Sequence, residues 1–230
     1  MPADGTARDG TYVTYDVDAL LGVVTLEAAR AGAIVIGEDL GTVPPGVRRT
    51  LRDRGVLGTS VLWFERDKPA EGKPGGLVPP ERWRADAAAS VTTHDLPTVR
   101  GWLRGEHVRV RAELGLLDDA ETEWESWRRE RGELVALLTE LGLVADDADE
   151  DALATGMHSF LGATACRVVL ASPGDAVGDL QQPNLPGTTD EYPNWRLPIT
   201  DATGTVQLLD DLLADPRVAR LAAVLDAAVR

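Results

Sequence analysis

Two short apolar runs in this chain are each followed closely by carboxylates. The run at residues 33–37 leads into Glu38-Asp39-Leu40-Gly41-Thr42, and the run at 87–92 leads into Thr93-His94-Asp95-Leu96-Pro97-Thr98. If each run is a strand of a parallel α/β sheet, Glu38 and Asp95, 57 positions apart, leave the same rim of that sheet. Ligands gather at that rim, outside the carboxyl ends of the strands. Two carboxyl groups converging there suit the cleavage of a glycosidic bond. One protonates the leaving oxygen, and another meets the positive charge that develops on the sugar ring. An acidic residue between a strand and a helix is more often an N-cap or a partner for the helix dipole. Both readings stand at this level. His94 likewise fits a hydrogen-bonded structural role as well as a chemical one, and no nearby His or Cys completes a metal-ligand set with it and Asp95.

A third polar constellation runs from Gln181-Gln182-Pro183-Asn184-Leu185-Pro186-Gly187-Thr188 into Tyr192-Pro193-Asn194-Trp195-Arg196. Sugars bind by stacking on aromatic faces and by hydrogen bonds from amides and guanidinium groups, and this stretch supplies both. Its alternative is a Pro-rich surface turn with Trp195 packed into the core.

The elements that must position these residues alternate between short apolar runs and amphipathic stretches, which points to an α/β fold. Asp18 is placed to cap a helix through about Arg30 that ends at Gly32, with Leu20, Leu21, Val24 and Ala28 on one face. Residues 33–37 read as a buried parallel strand. Thr42 and Pro44-Pro45 open a further helix that closes near Gly55. Strands are expected at 59–64, 87–92 and 167–171, with a Pro/Gly-rich loop at 68–80. Helical spacing marks 96–103, 116–141 (Trp124, Trp127, Leu134, Leu138 apolar), 152–163, 206–213 and 216–229. Four parallel strands, each followed by helical material, fit a doubly wound sheet or half of a (β/α)8 barrel.

Composition excludes several classes. The net charge of −15, from 38 acidic against 23 basic residues, argues against a nucleic-acid surface, which needs clustered Lys and Arg. No apolar stretch approaches a membrane span or the core of a secretory signal. A single cysteine, Cys166, excludes an internal disulfide and reads as a small buried residue of a cytoplasmic protein.

The same segments carry a family resemblance. Val35-Ile36-Gly37-Glu38-Asp39-Leu40-Gly41-Thr42-Val43-Pro44, Thr92-Thr93-His94-Asp95-Leu96-Pro97-Thr98, Asn184-Leu185-Pro186-Gly187-Thr188 and Asn194-Trp195-Arg196 resemble motifs of the 4-α-glucanotransferases, or amylomaltases. The opening residues 10–21, with Tyr12, Tyr15, Asp18 and Leu20-Leu21, are similar to that family too. The resemblance implies strands five to eight of a (β/α)8 TIM-type barrel with helical insertions, residues 1–230 forming one partial catalytic barrel. Carried over by position, Glu38 matches the general acid/base, Asp95 the carboxylate that stabilises the transition state, and His94 a substrate-binding histidine. Asp39, Asn184, Pro186, Gly187, Thr188, Asn194, Trp195 and Arg196 are expected near the substrate. The implied reaction breaks an α-1,4 bond with retention and passes the glucan to a sugar hydroxyl. Its substrates are maltooligosaccharides and other α-1,4-glucans, with glucose as an acceptor, and no metal or organic cofactor is implied.

One departure matters. The family's nucleophilic Asp lies at the end of the fourth strand, in an arginine-containing motif upstream of the matched region. Asp16, Asp18 and Asp39 do not sit in such a motif. The expectation is a chain that begins after the nucleophile, exposes apolar strand edges, and is poorly stable and inactive alone. A partner segment carrying the N-terminal half of the barrel would restore both. The alternative is a non-catalytic glucan-binding or assembly half that works beside a separate N-terminal segment. A nucleotide-binding protein is disfavoured, since neither G-x-G-x-x-G nor G-x-x-x-x-G-K-[ST] occurs.

Overall fold

The computed structural model describes residues 10–11, 13–68 and 75–229, and the chain divides into two units, Met1–Gly58 and Thr59–Arg230. Tyr12 and much of the loop expected at 68–80 lie outside the described residues.

In the first unit, helix α1 spans Val17–Ala31 and stops at Gly32, whose φ of 62° is left-handed. Its cap is Asp16 rather than Asp18: Asp16 has extended backbone geometry and its carboxylate accepts from Ala19 N at 3.0 Å. A cap must lie outside the helix to reach back to it. Asp18 is already helical and pairs instead with Arg54. No α1 residue is buried, and Leu20, Val23 and Leu26 are 54%, 61% and 50% exposed. Residues 33–37 do not form the buried strand expected. They make one parallel bridge, Ile36 to Leu57, in which Leu57 N donates to Val35 O (3.0 Å) and Gly37 N to Leu57 O (2.8 Å). One bridge is too little ladder to make a strand, and Ile34 is 72% exposed. Helix α2, Val47–Arg52, follows the cap residue Gly46 and does not start at Thr42. Pro45 holds Pro44 away from helical geometry, so the Pro pair precedes the helix instead of opening it.

The second unit is built on strands β1 (Gly58–Val61), β2 (Ala87–Ser90) and β3 (Val168–Leu170), in the order β1-β2-β3. β2 and β3 run parallel, pairing Ala88 with Val168, Ala89 with Val169 and Ser90 with Leu170. All four β2 residues are buried, as a central strand of small residues requires. The strands are shorter than expected. β1 stops where the chain turns, Phe64 N donating to Val61 O at 2.9 Å.

Four helices separate β2 from β3: α3 (Val99–Leu103), α4 (Glu106–Glu113), α5 (Ala120–Glu140) and α6 (Glu150–Gly162). The left-handed glycines Gly105 and Gly115 bound α4, which the sequence reading did not resolve. α5 and α6 begin behind Asp119 and Asp149, whose carboxylates cap them, and not at residues 116 and 152. Leu134 and Leu138 from α5 meet Met157, Phe160 and Leu161 from α6 in one core, all fully buried. Trp63 stacks on Trp102 at 4.2 Å, and Trp83 meets Phe160 edge-on at 5.7 Å. Trp127 is half-buried and donates its indole N–H to Trp102 O at 2.7 Å.

Past β3 come α7 (Pro173–Val177), which was not anticipated, α8 (Leu209–Ala214) and α9 (Pro216–Val229). α9 packs on α6 and α7. Cys166 is half-buried rather than buried; its thiol points at Arg84 O, and burial raises its pKa.

Candidate functional site

β2 delivers the chain to the His94-Asp95 loop. Thr92 Oγ1 donates to Pro97 O at 2.7 Å and closes that loop across its base. Inside it, Leu96 N donates to Thr93 O (3.1 Å) and Asp95 N to Thr93 Oγ1 (3.3 Å), a short hydroxyl-assisted turn. Thr98 then caps α3 by accepting from Gly101 N at 3.1 Å. The loop is fixed at both ends, while its tip presents His94 and Asp95, about half exposed, with Nε2 and Oδ1 3.4 Å apart.

A second segment, residues 180–196, lies along this tip. Asn184 N donates to His94 O at 3.1 Å, and Asn184 Nδ2 donates to Asp95 Oδ1 at 2.7 Å. Gln182 Nε2 donates to Asp95 O (2.9 Å) and to Asn184 O (2.6 Å), and Tyr192 Oη donates to Gln182 O at 2.7 Å. A hydrogen bond to an ionised carboxylate is worth roughly twice a neutral one, so Asn184 is a strong restraint on how Asp95 faces.

The turn that follows is held by Asn194. Its Oδ1 accepts from Leu185 N (2.8 Å) and its Nδ2 donates to Thr188 Oγ1 (2.9 Å), while Leu185 is buried. Pro186 and Gly187 form the exposed corner, and Gly187, at φ 90°, adopts a backbone that a side chain would oppose. Trp195 is the one non-glycine with positive φ (61°) among the described residues. Such a conformation costs a bulky residue about 1–3 kcal/mol. Its amide donates to Pro183 O at 2.9 Å, its ring lies 5.1 Å from that of His94, and it is 65% exposed. Trp195 is therefore not packed into the core. Arg196 is exposed, with its backbone N–H on Pro193 O.

Beside His94 a cleft of about 370 Å³ opens at the carboxyl ends of β2 and β3, with Ser90, Thr93, Leu96, Leu170 and Ala171 among its lining residues. His94, Asp95, Asn184 and Trp195 thus come together at the strand ends, as ligand sites in parallel α/β folds do. Thr188 and Asn194 shape the loop from within.

In the first unit, Glu38 is exposed and follows Gly37 directly after the Ile36–Leu57 bridge. Asp39 faces inward and is 3% exposed; its Oδ2 accepts from Arg48 Nε at 3.0 Å. That pair ties the Glu38 segment to α2.

The sequence reading missed a buried acidic pair. Asp175 accepts from Val99 N at 2.8 Å. Asp179 accepts from Gln181 N (2.9 Å), Thr200 Oγ1 (2.9 Å) and Thr200 N (3.2 Å). Burial pushes the Asp175 carboxyl up to about 7, the Val99 N–H pulls it down, and the charge of Asp179 adds to the rise. Acidic residues near a short helix look solvated in a sequence, and no spacing signal marked these two. Among the described residues no His, Cys, Asp and Glu cluster is arranged to hold a metal, and no helix is long and apolar enough to cross a membrane.

Comparison with known proteins identifies the family. Residues 1–203 match the family described as 4-alpha-glucanotransferase, and the chain belongs to it. It is 49% identical over 231 residues to a 4-alpha-glucanotransferase of Mycobacterium bovis, across 99% of this chain and 32% of the relative. With the Haemophilus influenzae 4-alpha-glucanotransferase it shares 30% over 206 residues, 85% of this chain and 28% of that one. The crystal structure of amylomaltase from Corynebacterium glutamicum matches with a TM-score of 0.89 at 35% identity, covering 98% of this chain and 33% of that chain. Amylomaltase from Streptococcus agalactiae, in complex with acarbose, matches at 0.62 and 17% identity over 98% of this chain and 37% of that one, which shows the shared fold alone. The chain spans about a third of the length of the relatives it matches.

Proposed function

We propose that these 230 residues supply one part of a 4-α-glucanotransferase that transfers segments of α-1,4-glucan between maltooligosaccharides or to glucose. The observation that carries the reading is Asp95 held by Asn184 Nδ2 at 2.7 Å, beside His94 and the exposed Trp195, at the rim of a cleft outside two parallel strand ends. A fixed anion there offers charge in advance to a glycosyl cation, where preorganised electrostatics contribute most. His94 donates to sugar hydroxyls, and Trp195 offers an aromatic face to a ring of the chain. Glu38 protonates the leaving oxygen and then takes the proton from the incoming hydroxyl.

The sheet is, in this reading, the C-terminal half of a (β/α)8 barrel, and the nucleophilic Asp comes from the remaining two-thirds of the family's length. Two features support a missing neighbour: α1 buries none of its residues, and Leu170 of β3 is 50% exposed. Buried apolar surface is the main driving force of folding, so the 230 residues alone are expected to unfold without a sharp transition.

The test is a fused chain in which residues 1–230 replace the matching third of the Mycobacterium bovis relative. Maltotriose is expected to give glucose together with longer oligosaccharides, and Asp95→Asn to slow this by about 100- to 1,000-fold, the scale at which a preorganised electrostatic group acts. A folded fused chain without turnover, or one indifferent to Asp95→Asn, contradicts the assignment.

A further inference from the structure

Two segments meet at Asp95, and both run back to one buried residue, Asp179, one to its main-chain carbonyl and the other to its carboxylate. The His94-Asp95 loop ends at Thr98, whose Oγ1 donates to the main-chain carbonyl of Asp179 at 2.6 Å while capping α3 through Gly101 N. The segment that holds Asp95 from the other side begins at Gln181, whose N–H lies on Asp179 Oδ1 at 2.9 Å. One residue along, Gln182 reaches the Asp95 carbonyl, and two further on Asn184 reaches both the Asp95 carboxylate and the His94 carbonyl. Asp179 itself is immobilised. It follows Gly178, the left-handed cap of α7, and its N–H donates to Gly174 O at 2.9 Å. Thr200 grips both of its carboxylate oxygens, and Gln181 Nε2 in turn donates to Thr200 Oγ1 at 2.9 Å. Thr98, Asp179, Gln182 and Thr200 are all buried.

We infer that Asp179 is a positioning residue for Asp95, its carboxylate fixing through the 181–184 segment the place and facing of a carboxylate it does not touch, while its main-chain carbonyl holds Thr98. The inference rests on the proposed role of Asp95. A carboxylate that acts on a transition state must be placed before the reaction, and a displacement near 1 Å costs about 100-fold. A folded chain with a loosened Asp95 still binds glucan through its other contacts, so the loss falls on kcat and leaves KM nearly unchanged. Asp179→Asn puts an amide N–H against the N–H groups of Gln181 or Thr200, turning an attraction into a repulsion while keeping the volume.

In the fused chain, Asp179→Asn is expected to lower kcat about 10- to 100-fold with KM within about twofold. Gln182→Leu, which breaks the same connection nearer Asp95, is expected to lower kcat as well, and the double variant to be no worse than about the larger single loss. Thr200→Val removes one donor to Asp179 without adding bulk and serves if Asp179→Asn does not fold; it is expected to lower kcat in the same KM-sparing way. Wild-type kcat in a folded Thr200→Val or Asp179→Asn variant overturns the inference, as do losses in kcat that multiply in the double variant. Full activity in Asp95→Asn overturns instead the role of Asp95 on which the inference rests.

Discussion

At the scale of the residue, the proposal centres on Asp95, with Asn184 the side chain that holds its carboxylate. Asn184→Ala removes a charge-assisted hydrogen bond of about 1.5–3 kcal/mol, so kcat/KM of the fused chain for maltotriose is expected to fall about 10- to 100-fold. A rate within twofold of the parent would show that Asp95 needs no such partner. The buried Asp175 gives a prediction of a different kind. Its carboxyl stands at about 7 in the folded chain against an ordinary 3.8, with burial as the main cause. The native state therefore holds this proton more tightly than the unfolded state does. The stability it contributes is complete below pH 3.8, declines as the pH rises, and is gone above about 7. Asp175→Asn keeps an acceptor for Val99 N and cannot titrate. From pH 4 to 7 the parent is expected to lose stability relative to this variant, by about 3 kcal/mol. Urea unfolding of both in the fused chain across that range checks it, and a difference that stays flat contradicts it. These residues were unequally legible. Glu38, His94 and Asp95 stood out because they follow apolar runs within recognisable motifs. Asp175 and Asp179 did not, because what distinguishes them is burial against Val99, Gln181 and Thr200, which no local pattern records.

At the scale of the element, the central strand and the helices behind it hold the loop in place. β2 read well because a fully buried strand needs an unbroken run of small apolar residues, and α9 read correctly to both ends. The run at 33–37 misled because apolar composition is only half of a strand, the other half being neighbours to bond with, and here it has Leu57 alone. α4 was hidden because its sequence is polar and its limits are set by two left-handed glycines. Gly105 is the sharper constraint: at φ 72°, an added Cβ would lie 2.4 Å from the Trp124 ring. Gly105→Ala is expected to destabilise the second unit by about 2–4 kcal/mol, combining left-handed strain with overpacking. Gly115→Ala, equally left-handed but with nothing within 4 Å, isolates the backbone part and is expected to cost about 1–2 kcal/mol. Equal losses at the two sites, measured by denaturant unfolding of the fused chain, would remove the steric argument.

At the scale of the whole molecule, family membership and partial coverage are the two firm facts, and the reaction follows from them only by proposal. The chain matches 4-alpha-glucanotransferases across nearly all of its own length and about a third of theirs. The α/β class was legible in the alternation of apolar runs and amphipathic stretches, whereas the division into two units was not, since it depends on contacts between distant residues. The central claim is that these residues provide the acid/base and the stabilising carboxylate but need the rest of the family's length for turnover. The direct measurement is chromatography of maltotriose incubated with four samples: the 230 residues alone, the fused chain, and the fused chain carrying Glu38→Gln or Asp95→Asn. Glucose with longer oligosaccharides from the fused chain only, lost or greatly slowed in both variants, is the predicted result. Turnover by the 230 residues alone, or full activity in the Glu38→Gln variant, would contradict it.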